Sequence, residues 1–108
     1  MLNARLRQYE EEISGNERLV KALRQQLVLL KDELKGVDEL YQKGFAAKTK
    51  VLQYQRTAAS LEGDIGFRQG EIAKLHQRIV ETKNEIIQRS RKNTPMNLGA
   101  SCATRKSN

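Results

Sequence analysis

The sequence predicts an all-α protein: two long helices in an antiparallel coiled-coil hairpin with a disordered C-terminal tail. Three observations predict it. Apolar residues step along the chain by alternating fours and threes in two long runs, a short interruption containing Lys43-Gly44-Phe45 separates the runs, and the one proline among 108 residues, Pro95, lies beyond both. A spacing averaging about 3.5 residues keeps apolar side chains on one line of a slightly under-wound helix, and that line is buried only against another helix. Aromatic residues make up 5% of the chain and charged residues 31%, with no tryptophan, which is too little large apolar material for a compact core. The chain buries a stripe instead.

The first helix is expected over about 2–43, along a seam of Leu2, Leu6, Tyr9, Ile13, Asn16, Val20, Leu23, Leu27, Leu30, Leu34, Val37 and Tyr41. The turn follows at 44–46. Lys43 near the helix end, a glycine suited to the left-handed position after it, and an apolar residue next make a Schellman-type stop. The second helix is expected over about 47–91, along Val51, Tyr54, Ala58, Leu61, Ile65, Arg68, Ile72, Leu75, Ile79, Thr82 and Ile86. A hairpin folded at the turn sets residues opposite each other with a nearly constant sum of numbers, and here seam meets seam throughout at 91 or 92. Leu27 then faces Ile65, Asn16 faces Leu75 and Arg68 faces Leu23. Residues 1–91 therefore form one hairpin domain. Periodicity is lost in 92–108, whose small polar residues bury too little to offset ordering, so this stretch is expected as a disordered basic tail. The abrupt change also fits a shifted reading frame, and a first helix already in heptad phase at Leu2 fits a piece of a longer protein.

The net charge of +7 invites a nucleic-acid reading, but its distribution opposes one. Residues 89–108 hold Arg89, Arg91, Lys92, Arg105 and Lys106 and no acid, leaving 15 of the 20 basic residues against 13 acidic ones before them. The hairpin is nearly neutral, with mixed charges of a solvated, ion-paired face and no aromatic interleaving for base stacking. The longest apolar run, Leu27-Val28-Leu29-Leu30, is far below a membrane span, and Leu2 to Arg7 is too charged to open a secretory signal.

Little in the chain suggests chemistry. Cys102 is the single cysteine and His76 the single histidine, so neither has a partner at metal-ligand spacing. Gly63-Asp64-Ile65-Gly66 has the outline of a nucleotide-clamping loop but falls inside a heptad seam. The carboxylates lie on exposed helical positions without a pocket. No catalytic residue, cofactor, metal or small-molecule substrate is expected. Two polar residues interrupt the seams, Asn16 and Arg68, and they read as register-setting positions at a cost in stability, or as plain tolerance. Gly63, Gly66 and Gly70 read as close approach of a neighbouring helix, or as local flexibility. At the turn, Leu40, Tyr41, Lys43, Gly44, Phe45 and Lys48 form an exposed apolar and basic tip that a partner covers, unless the stop is purely structural.

The run Leu30 to Thr49, with Leu61 to Gly66 and Ile79 to Lys83, resembles the long α-hairpin of HlyD/AprE-type membrane fusion proteins, over about residues 2–88. The resemblance implies a non-enzymatic periplasmic adaptor of type I secretion, anchored in the inner membrane through parts not present here. Its implied partners are an inner-membrane ABC transporter, a TolC-type outer-membrane channel met by the tip, and further hairpins packed side by side as a lateral homo-oligomer. The wider family carries an arginine, a leucine four residues on and a serine seven further at the tip. Leu40 matches the leucine, whereas the arginine and serine positions fall on Gly36 and Ala47. The alternatives from another class are a structural coiled-coil module without a transport role and a basic-tailed nucleic-acid binder.

Overall fold

A seam needs a partner helix, and each helix finds it in the other. The computed structural model describes the backbone of residues 1–106 and the side chains of residues 1–92. Helix α1 spans Leu2–Gln42 and helix α2 spans Lys48–Lys106, packed against each other in a rod of 90 × 24 × 15 Å. The connection is thus Lys43 to Ala47, one residue longer at each end than expected. The first helix stops at Gln42 because Lys43 takes the half-in cap position. The second helix, expected to close near 91, keeps a helical backbone to Lys106. The disordered basic tail expected over 92–108 falls, from residue 93 on, outside the described side chains.

Every residue of both seams is buried or half-buried, and outside the seams only Ser14, Gly15, Ala46 and Glu71 among residues 1–92 share that shelter. The best-covered positions are Leu75 at 4% exposure, Val51 at 5% and Ile13 at 7%, with Thr82 the one buried polar residue among those described. Among the described residues no large side chain is enclosed completely. A two-helix contact covers side chains from one direction only, which is why the interior stays a line and never becomes a core.

Three contacts cross the hairpin and locate one helix against the other. Lys31 Nζ lies 3.6 Å from Glu62 Oε2. Arg68 Nη1 donates to Asn16 Oδ1 at 3.3 Å. A shallow depression is lined jointly by Leu19 and Leu23 of α1 and by Asp64, Phe67 and Arg68 of α2. The expected register set Asn16 opposite Leu75 and Arg68 opposite Leu23, and these contacts correct it. Seven residues separate Arg68 from Leu75, about 10 Å along the helix. An arginine and an asparagine that must also reach across the interface do not span that offset.

The ion pair joins residues whose numbers add to 93, the hydrogen bond residues that add to 84, and the depression lies between, so level positions add to about 88, half a heptad from the expected value. Side chains lean toward the N-terminus of their own helix, so Lys31 leans away from the turn and Glu62 toward it, and their charged ends meet although their backbones are not level. In this register seam still meets seam: Leu30 with Ala58, Leu27 with Leu61, Leu23 with Ile65, Ile13 with Leu75, Leu6 with Thr82. Sliding one helix by half a heptad carries one set of seam positions onto the other, so the periodicity is degenerate between the two registers.

The outer faces are solvated, and they are less ion-paired than the charge pattern suggested. Among the described residues Lys31 and Glu62 form the one ion pair within 4.0 Å, and both side chains are more than half exposed. Such a pair contributes at most about 1 kcal/mol. Beyond the adjoining residues and the backbone of its own helical turns, no atom among the described residues lies within 4 Å of a Cβ built on Gly63, Gly66 or Gly70, so the close approach expected there does not occur within the hairpin.

Candidate tip interface

The end of the rod is built by a helix stop whose every bond is accounted for. Lys43, the C-cap, has φ −87° and ψ −2°, and its N–H donates to the Glu39 carbonyl at 3.2 Å. Gly44 then takes φ +83°, the left-handed conformation that a side chain resists. The Gly44 N–H donates to the Tyr41 carbonyl at 2.9 Å and the Phe45 N–H to the Leu40 carbonyl at 2.8 Å. These two bonds are those of the Schellman motif, and they close carbonyls that the helix end leaves open. Lys50 N–H donates to the Ala47 carbonyl at 3.1 Å, starting α2.

This stop gathers the six tip residues named from the sequence at one end of the molecule. Tyr41 is half-buried at the end of the seam, while Lys43, Gly44 and Lys48 are exposed. Leu40 is 47% exposed and Phe45 77%. The Schellman motif commonly brings the residue after the glycine against the helix's last turn. Here that contact leaves most of the Phe45 ring in water. The result is an aromatic ring flanked by Lys43 and Lys48 on a loop pinned by backbone bonds.

The two register-setting candidates lie far from the tip and meet each other, as described above. His76 is exposed on α2, and Gly63 to Gly66 are helical, so they form no loop. The Cys102 side chain lies outside those described. Among the described residues no helix is long and apolar enough to cross a membrane. Sequence reasoning missed the exposed apolar side chains on the outer faces: Val28 at 68% and Leu29 at 66% on α1, and Phe67 at 60% on α2. The signal was present in Leu27-Val28-Leu29-Leu30. A seam admits the first and last of four consecutive residues, so the middle two must face outward.

A protein-family model described as AprE, long alpha-helical hairpin, matches residues 1–94 of this chain. Comparison with curated proteins and comparison with solved structures each give no significant match.

Proposed function

Because the chain belongs to the AprE long alpha-helical hairpin family, we propose that it is the hairpin of a periplasmic secretion adaptor whose tip docks to an outer-membrane channel. The adaptor serves export by joining that channel to an inner-membrane ABC transporter, through parts of the protein beyond the hairpin. The exposed Phe45 ring on its rigid Schellman loop is the observation that carries the docking. Burying an exposed aromatic stabilises a complex by roughly 2 kcal/mol, and a pinned loop loses little further entropy on binding. Leu40 and the flanks of Tyr41 extend the apolar contact, and Lys43 and Lys48 favour an acidic rim on the partner.

Hairpins of this kind act side by side. The exposed, adjacent Val28 and Leu29 of α1 support lateral association of several copies, since apolar side chains left open on a thin rod are costly in water. The role is one of binding and assembly and involves no catalysis.

Photo-cross-linking from position 45, with and without a purified TolC-type channel, tests the docking. With Phe45 replaced by the photoreactive residue, the expected result is an adduct at the channel's periplasmic end that is lost in a Lys43→Glu, Lys48→Glu variant of unchanged helicity. Equal labelling with and without the channel, or an adduct indifferent to both substitutions, would refute it. A partner captured through the flank and never through the tip would favour a structural coiled-coil module.

A further inference from the structure

Asn16 and Arg68 are the only residues with amide or charged side chains in the two seams, and they are joined to each other across the hairpin. Asn16 Nδ2 donates to the Glu12 carbonyl of its own helix at 3.0 Å, which fixes the amide and turns Oδ1 toward α2. Arg68 Nη1 donates to that oxygen at 3.3 Å, and the guanidinium carbon sits 5.6 Å from the centre of the Phe67 ring. Asp64 lies one turn before Arg68 and lines the same depression, a spacing at which opposite charges commonly pair. Among the described residues Arg68 makes no ion pair with it; the cation bonds instead to a neutral amide on the other helix.

Geometry explains why this contact matters. The seams fit each other in two alignments half a heptad apart, and hydrophobic burial discriminates weakly between them because seam meets seam in both. The polar residues do discriminate. In the alignment adding to 91 or 92, Arg68 and Asn16 face leucines and lie about 10 Å apart along the rod, each losing its partner. In the observed alignment they satisfy each other. We infer that the Arg68–Asn16 hydrogen bond, oriented by Glu12 and backed by Phe67, is a register lock that selects one of two otherwise comparable hairpin alignments. The lock acts by penalising the wrong alignment; it need not stabilise the right one, since a polar group at a seam position specifies register at a cost in stability.

Disulfide trapping in the full chain, on a Cys102→Ser background, distinguishes the alignments. Cysteines at 23 and 65 meet in the observed register, and cysteines at 27 and 65 in the alternative. With Asn16 and Arg68 intact, the 23/65 pair should oxidise at least about tenfold faster than the 27/65 pair. In the Asn16→Leu, Arg68→Leu variant the two rates should come within about threefold of each other, with helicity retained and melting temperature unchanged or higher. Asn16→Asp keeps an acceptor for Arg68 and should restore the preference. A double variant that keeps the full preference for 23/65 would overturn the proposal and assign register to the turn alone. Loss of helicity in the double variant would overturn it as well, by making the pair a source of stability.

Discussion

At the residue scale, conformation and space separate glycines that look alike in the sequence. Gly44 has open space around it, yet its φ of +83° makes any side chain strained. Gly44→Ala is expected to destabilise the hairpin by about 1 kcal/mol in denaturant unfolding. Gly63 and Gly66 have helical backbones and equally open space. Replacing each by alanine is expected to stabilise by about 0.5 to 1 kcal/mol, measured the same way. Ala47 precedes the first residue of α2, at the N-cap, where a hydroxyl accepts from a free backbone N–H. Ala47→Ser should therefore stabilise by about 0.5 to 1 kcal/mol, and a neutral or negative change would mean that the cap geometry is not met. That position is also where the wider adaptor family carries its tip serine, so one substitution would add both a cap and a tip hydroxyl.

At the element scale, the two helices and their stop were legible because their signals are local. Heptad spacing marks the buried line, and lysine, glycine and an aromatic in succession mark the Schellman stop. The register was not legible, because two alignments share one period and the contact that separates them joins residues 52 apart. The two helix ends at the turn shifted by a residue for a related reason: the cap is defined by backbone bonds, which the residue pattern does not show. Burial along the seam makes a graded prediction. Leu75→Ala, at 4% exposure, should cost about 2 to 3 kcal/mol, whereas Val80→Ala, at 53%, should cost less than about 0.5 kcal/mol. Equal losses in thermal unfolding would show that the seam is not the source of stability.

At the scale of the whole molecule, a rod of 90 × 24 × 15 Å with no large side chain fully enclosed among the described residues has little to hold it together alone. Lateral association of hairpins through α1 removes the exposed Val28 and Leu29 from water, so melting temperature is expected to rise with protein concentration. Val28→Ser, Leu29→Ser should abolish that dependence while leaving monomer helicity intact, as read by sedimentation and circular dichroism. The tip is a separate matter at this scale, because a Phe45 substitution should leave the melting temperature unchanged. By itself the sequence determined the two helices, the single buried line on each, the turn and the residues exposed there. These follow from periodicity and from glycine's backbone freedom, which are properties of neighbouring residues. Only the tertiary structure decided which seam residue meets which, that Asn16 and Arg68 answer each other, and that Val28 and Leu29 lie open. Those depend on distances between segments remote in the chain, and a repeating pattern matches itself at more than one offset.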